Sequence, residues 1–532
     1  MNVPNVTPSF LDRAEEYYSD VVGVVADDGT EYTYGELTER VNRLSNALAE
    51  LGVEQGDRVA AISPNTHWYI ETVFATQQLG AVVAPLNYRL VPDDYEYLLS
   101  DSGATVAMVD YEYADLIADI REDVPTDAFV CYEADRADGE WLDYEALLAE
   151  HSPEPPERPD IAETDPAAIN YTSGTTGDPK GVVRSHRTDF LNAVNHAYNA
   201  EFKDDGVYLW TLPMFHVHGW GALYMVTGTG GTHVCLRSFS AEKAFERIRE
   251  YDVSYLSGAP TVLNRLLEHN RETDDLVSSG ANPVTISTAG APPPAATIEA
   301  VEDDFGWELF HFFGHTESGP YTTSHSPRRI KEKGRMQIKP KQGIPAMGNY
   351  MRVVDEHGED VPRDDETMGE VILKGNLVFD RYWNKPEETK QAFNDRVEGW
   401  FHSGDLGTVD ENGFVTIKDR KKDVIISGGE NISSIELEDA IYDLDGVSKA
   451  TVIPVPHEEW GETPKALIVL QPGADLTEEA VIAHCKSVLA SYKAPTAVEF
   501  VEELPTTATG KVQKHVLRQR EWDDEDRMIG GG

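Results

Sequence analysis

Short apolar runs of β type alternate along this chain with amphipathic stretches of helical period, and that rhythm restricts the fold more than any other feature. Leu37, Val41, Leu44, Leu48 and Leu51 fall at helical spacing within residues 36–51, the stripe a helix lays against a sheet. Residues 59–62 then read as a strand. The alternation returns downstream, with strands at 253–256, 284–288 and 309–313 and helices at 262–270 and 295–303. Parallel strands joined by helical crossovers write such a pattern, so an α/β architecture of βα layers is expected. No repeat of fixed period is present, which excludes solenoids and propellers.

Two composition breaks divide the 532 residues. Residues 151–165 are rich in Pro and Glu and read as a surface connector before a strand at 167–171. Residues 328–341 are the one locally basic segment and are expected to form a surface loop. From 419–423 the pattern restarts as a compact βαβ-like unit, with strands at 424–426, 450–453 and 466–470 and helices at 434–443 and 478–489. A domain boundary is therefore placed between 419 and 420. It separates a large N-terminal domain of βα-layered subdomains (1–419) from a small mobile α+β C-terminal domain (420–532). The acidic, glycine-ended tail 521–532 reads as frayed.

Charge excludes some partners. Ninety-four acidic residues against 45 basic ones leave a net charge of −49, dispersed along the chain and not gathered in one tail. Such a surplus fits a hydrated acidic surface and a high-salt, halophilic cytoplasm, where ions screen self-repulsion. With no basic stripe, nucleic acid is not an expected partner. Cys131, Cys235 and Cys485 are too few and too scattered for a disulfide framework, which favours a reducing compartment. The N-terminus lacks a basic segment followed by an apolar one. The most apolar stretch, 209–227, carries Pro213, His216 and His218 and reads as core or pocket wall, not as a membrane span. The expected location is cytoplasmic, and a homodimer is one open expectation for the assembly.

The chemistry concentrates in a few motifs. Tyr171-Thr172-Ser173-Gly174-Thr175-Thr176-Gly177-Asp178-Pro179-Lys180-Gly181 follows an apolar strand. Its glycines let the backbone approach phosphate, its hydroxyls and N–H groups bond the oxygens, and Lys180 adds a point charge. It lacks the Walker A spacing. Downstream stand Ala289-Gly290-Ala291-Pro292, Phe312-Phe313-Gly314-His315-Thr316-Glu317 and Trp400-Phe401-His402-Ser403-Gly404-Asp405. The run 419–432 holds Arg420, Lys422, Gly428, Gly429 and Glu430, and 504–512 holds Gly510 and Lys511.

This ordered series, from about residue 32 to 511, resembles the adenylate-forming superfamily, which includes the AMP-forming acyl-CoA synthetases. The resemblance implies ATP and coenzyme A as substrates, Mg²⁺ as cofactor and a carboxylic acid joined to the thiol through an acyl-AMP. It implies that the 172–180 loop takes phosphate, that Gly290, Ala291 and Pro292 wall the adenine slot, and that Phe313 beside Gly314 stacks on the base. Thr316 would touch phosphate and Glu317 would hold Mg²⁺, an ion content with few carboxylates plus phosphate oxygens. Asp405 would accept the ribose hydroxyls, with Arg420 beside them. Phe313, His402 and Ser403 depart from the usual tyrosine, basic residue and threonine. Lys422 would be the hinge of a domain rotation, Gly428, Gly429 and Glu430 the coenzyme A face, and Lys511 the catalytic lysine. Phe215, His216 and Trp220 would line the acyl pocket, with His216 at its mouth, and bulky Trp220 points to short- or medium-chain acids. Close alternatives are an aryl-CoA ligase or an acyl-AMP ligase loading a carrier protein. An ADP-forming ATPase or kinase, or an inactive binding protein, are the alternatives outside the class.

Overall fold

The computed structural model describes residues 3–172, 178–273, 284–290, 293, 295–324, 327–428, 430–457, 460–506 and 512–522. Two mixed sheets carry the bulk of it. In the eight-stranded sheet the strands run in the order Arg381–Tyr382, Lys180–Ser185, Pro166–Thr172, Val82–Leu86, Arg58–Ile62, Val106–Asp110, Ala128–Tyr132 and Leu142–Asp143. The seven-stranded sheet begins Glu308–His311, Thr285–Thr288, Tyr255–Ser257 and ends Val22–Val25, Glu31–Thr33. Their interiors are parallel, as the alternation predicts. One edge of each sheet is not: in the first, Lys180–Ser185 returns antiparallel from Pro166–Thr172 and Arg381–Tyr382 adds antiparallel beyond it, and in the second Glu31–Thr33 pairs antiparallel with Val22–Val25.

Helices enter where the sequence caps them. Tyr34–Glu50 starts with a capping box in which the Thr33 hydroxyl accepts the Glu36 N–H and the Glu36 carboxylate accepts the Thr33 N–H, satisfying two donors the helix leaves open. His186–Ala200 is capped by Ser185 at the end of the Lys180–Ser185 strand. Strand and helix are thereby joined without a loop, which fixes the helix directly behind the phosphate-loop hairpin.

A third sheet is antiparallel throughout: Asn349–Val354, Gly369–Gly375, Phe401–Val409 and Val415–Arg420. Beyond it lies the C-terminal unit, and here the βαβ expectation is corrected. Its centre is a long antiparallel hairpin, Val447–His457 with Gly461–Leu470, to which only Ala497–Phe500 adds in parallel. The segment 328–341 is also corrected from loop to two short helices, Pro327–Lys333 and Arg335–Ile338. Lys339 and Lys341 within it are not free basic groups. Buried Lys339 pairs with Glu302, and Lys341 lies 2.7 Å from Asp365 and 2.9 Å from Asp410.

The last described helix, Lys514–Glu521, is bound into the segment that leaves the third sheet. Lys514 Nζ lies 2.5 Å from Ser434 Oγ and 2.8 Å from Glu438. Arg518 pairs with Asp423 and donates to the Lys422 carbonyl at 3.3 Å. Among the described residues no helix is long and apolar enough to cross a membrane. The cysteines are buried and free.

Candidate active site

The phosphate-loop hairpin closes where Thr172 and Lys180 face each other as cross-strand partners. Ser173, Gly174, Thr175, Thr176 and Gly177 lie outside the described residues. Next to Lys180–Ser185 the short strand Arg381–Tyr382 pairs Tyr382 with Val182, bringing the phenol to the loop's exit. Lys180 Nζ stands 5.3 Å from the Tyr382 ring centroid, and the Tyr382 hydroxyl donates to Glu317 Oε1 at 2.9 Å. One tyrosine therefore bridges a lysine and a carboxylate that are distant in the chain. Burial, then the Glu317 charge, pushes the phenol's pKa up, so it remains a donor. Sequence reasoning missed Tyr382; its only signal is register, which no motif prints.

The turn carrying Thr316 and Glu317 is fixed through its backbone. Arg184, fully buried, donates to the Thr316 carbonyl at 2.8 Å and is paired with buried Asp189 at 2.6 Å. The Glu317 carbonyl accepts the Phe379 N–H at 2.7 Å. At Gly314 a Cβ would stand 1.9 Å from the Pro320 carbonyl oxygen, so only glycine permits this fold-back. Glu317 is half-buried with a phenol on one oxygen. A single carboxylate of this kind suits Mg²⁺, which keeps most of its shell as water and phosphate oxygen.

Asp405 and Arg420 are cross-strand partners of Phe401–Val409 and Val415–Arg420, with Arg420 Nε 3.5 Å from Asp405 Oδ1. Ser403 supports this aspartate: its Oγ accepts the Asp405 N–H at 3.1 Å and donates to the Val371 carbonyl at 2.6 Å. His402 turns away into the cluster of Glu370 and Arg396. Burial, then Arg396, lowers its pKa to about 4, so it carries no charge toward a nucleotide. Phe313 is half-buried and edge-on to His315, with ring centroids 4.8 Å apart. Gly290, at φ +89°, lies two residues beyond the strand Thr285–Thr288; Ala291 and Pro292 are outside the described residues.

The run expected to line the acyl pocket is built differently. Val217, His218, Gly219, Trp220 and Gly221 all have φ between 52° and 86°. They form a left-handed turn closed by Trp220 N–H to His216 O (3.1 Å) and Gly221 N–H to Val217 O (2.9 Å). Left-handed helix costs about 1–2 kcal/mol per L-residue, and strain of that kind persists only when the surroundings enforce it. Here Trp210 leaves no space at Gly219, where a Cβ would sit 2.2 Å from the indole. Asn192 meanwhile donates to Trp220 O at 2.9 Å and accepts the Tyr321 N–H at 3.2 Å. Trp220 is thus driven onto Phe312 (5.2 Å, edge-on), which stacks on Tyr321 at 3.8 Å, which stacks on His196 at 4.1 Å. Phe215 is buried edge-on to Tyr88, and His216 is half-buried at the start of the turn. His218 is core, its Nδ1 3.0 Å from Tyr69 Oη and its pKa lowered to about 3, chiefly by burial.

At the C-terminal side Lys422 is half-buried. Burial, then Arg420, lowers its pKa to about 8. Gly428, at φ +58°, lies under the half-exposed Trp460 ring, which a Cβ would approach to 2.7 Å. Glu430 is exposed at the start of Glu430–Ile432. Gly429 and Lys511 lie outside the described residues; Thr506 and Val512 pair on either side of 507–511.

The model of the AMP-binding enzyme family matches residues 10–383, and that of its C-terminal domain matches 436–511. The chain belongs to this family. Among its relatives is the probable acyl-activating enzyme 5, peroxisomal, of Arabidopsis thaliana, 37% identical and matched over 97% of this chain and 96% of that protein. Another is the 2-methylpropanoate–CoA ligase CCL4 of Humulus lupulus, 37% identical over 96% of this chain and 94% of that one. Among solved structures, the anthranilate CoA ligase AuaEII in complex with anthranoyl-AMP is similar with a TM-score of 0.89 at 26% identity, covering 98% of each chain. The large N-terminal and small C-terminal parts of this AMP-binding enzyme follow that architecture.

Proposed function

We infer that this AMP-forming acyl-CoA synthetase, an acid–thiol ligase using ATP and coenzyme A with Mg²⁺, activates a short- or medium-chain fatty acid. The observation that carries the acid class is the ring stack Trp220–Phe312–Tyr321 on the acyl wall, locked by Asn192 and the left-handed turn. A rigid aromatic stack shortens a pocket, because rings in van der Waals contact do not part without losing packing. The similarity to a ligase named for 2-methylpropanoate supports this reading. The similarity to a ligase named for anthranilate favours a flat aryl acid as the second reading.

In the first half-reaction a carboxylate oxygen attacks the α-phosphorus in line with departing pyrophosphate, giving acyl-AMP. The chain's part is positioning and charge placement. The 172–180 loop and Thr316 bind phosphate, Asp405 and Arg420 fix the ribose, and Phe313 and residues 290–292 hold the base. Lys511 stabilises the charge that develops between carboxylate and phosphate. Glu317 would hold Mg²⁺, which supplies charge neutralisation when bound with ATP. In the second half the unit after the 419/420 boundary turns about Lys422, withdrawing Lys511 and presenting Gly428, Gly429 and Glu430. The thiol sulfur then attacks the acyl carbon, AMP departs, and acyl-CoA forms. We place the enzyme in a cytoplasm of high salt, on its net charge of −49.

Pyrophosphate release, measured in molar KCl across C2 to C12 and aromatic acids, tests the acid class; a maximum on aromatic acids would replace the aliphatic reading. Lys511→Ala is expected to abolish acyl-AMP formation and to spare thioester formation from supplied acyl-AMP. Equal loss of both halves would remove the role given to that lysine.

A further inference from the structure

Asp405 is held by more than its own strand. His315 Nε2 lies 2.6 Å from Asp405 Oδ2, and the other ring nitrogen, Nδ1, lies 3.1 Å from Ser318 Oγ. Ser318 is fully buried, and its Oγ also accepts the His315 backbone N–H at 3.1 Å. These contacts order the protons. An ionised carboxylate only accepts, so the hydrogen of a neutral imidazole belongs on Nε2, leaving Nδ1 as an acceptor for a hydroxyl. Thr322 Oγ1 stands 2.7 Å from Ser318 Oγ, and either hydroxyl can be the donor of that contact. With Thr322 donating, the single Ser318 hydrogen points at Nδ1, the arrangement that completes the chain. Phe313 and Phe401 flank the imidazole edge-on at 4.8 Å and 6.1 Å.

We propose that His315 is a positioning residue for the nucleotide, a link in a Ser318–His315–Asp405 chain that sets the orientation of the Asp405 carboxylate toward the ribose hydroxyls. The proposal rests on the reading of Asp405 as the ribose ligand. A carboxylate turns readily about its last bond, since that torsion is broad. A donor at 2.6 Å on Oδ2, with Arg420 on the Oδ1 side, removes that freedom before the nucleotide arrives. Preorganisation of this kind is felt only by a ligand that uses the carboxylate. A nucleotide lacking a ribose hydroxyl should lose little when the pin is removed.

The test compares ATP with 2′-deoxyATP and 3′-deoxyATP, reading kcat/KM for pyrophosphate release in wild type, His315→Leu, His315→Gln, Ser318→Ala and Asp405→Asn. For His315→Leu the proposal expects kcat/KM for ATP to fall about tenfold, the size of one lost hydrogen bond to a charged group. For the weaker of the two deoxynucleotides it should fall less than threefold, so that discrimination shrinks, with KM for the acid unmoved. His315→Gln, which still reaches with an N–H, should restore most of the discrimination, and Ser318→Ala should lose part of it. Equal losses on ATP and both analogues, or full discrimination retained in His315→Leu while Asp405→Asn abolishes it, would overturn the proposal and leave Asp405 as the ribose ligand. Discrimination unchanged in Asp405→Asn would instead remove the reading of Asp405 itself, and the proposal with it. Should His315→Leu fail to fold, the same comparison on His315→Gln and Ser318→Ala decides.

Discussion

The proposed nucleotide wall and the proposed acyl wall of this site hold their side chains by opposite means. On the nucleotide side, polar groups hold one another: Lys180 and Glu317 meet at Tyr382, and Arg420 and His315 meet at Asp405. On the acyl side, rings and backbone do the holding. His196 and His218 are kept neutral there, with pKa values of about 3 set mainly by burial, and a left-handed turn presses Trp220 onto Phe312. A polar site reads out atoms; a packed one reads out volume. In the proposed reading the common chemistry of the family sits on the first wall and the choice of acid on the second.

Arg184 stands where the walls join, so its loss should have the largest effect. Arg184→Met leaves the fully buried Asp189 without its partner, which costs about 3–5 kcal/mol in comparable pairs. Urea denaturation in high salt should show that loss, and less than about 1 kcal/mol would mean that the two walls are held independently. Trp220→Ala acts on the acyl wall alone. Removing a packed indole is expected to cost about 3 kcal/mol and to move the preferred acid toward longer chains. An unchanged acid profile would take Trp220 out of the pocket. Tyr382→Phe acts on the nucleotide wall alone, lowering kcat/KM for Mg·ATP by about 1–1.5 kcal/mol, or roughly tenfold, with KM for the acid unchanged. A parallel change in both KM values would blur the division between the walls.

The smallest effect concerns pH. The folded chain holds Lys422 with a pKa of about 8, below its unfolded value. Between pH 8 and the ordinary lysine range the unfolded chain therefore binds more protons, and folding gains stability as pH rises. The melting-temperature advantage expected of Lys422→Met over wild type near pH 7.5 should shrink by pH 9.5. An advantage that does not change would show that Lys422 is not crowded by burial and Arg420.

The two walls were not equally legible in the sequence. The nucleotide residues are polar types in short motifs, so Lys180, Glu317, Asp405 and Arg420 could be named, and the structure brings Asp405 to Arg420 and Lys180 to Glu317. Tyr382 and Arg184 could not be named, because their roles come from strand register and from a hairpin folded against a distant turn. His315 was in view but silent, since a residue between glycine and threonine shows nothing of what lies beside it. The acyl run reads as core or pocket, yet its handedness is hidden: Val217 and His218 at positive φ contradict their local preference, which distant Trp210 and Asn192 help to override. The C-terminal unit was misread as βαβ for a related reason. Strand periodicity is the same in both directions, and the 461–470 strand reveals its antiparallel partner only through a short connection at 458–460.

The tether between the last helix and residues 419–423 has a mechanical consequence. Lys514 and Arg518 grip Ser434, Glu438, Asp423 and the Lys422 carbonyl, while Thr506 and Val512 close the base of the stretch between them. In the proposed rotation about Lys422, pivot and lever arm are thus clamped to one frame. Movement at residue 422 would pass through these contacts to the root of that stretch, so the proposed cycle would be timed at the pivot.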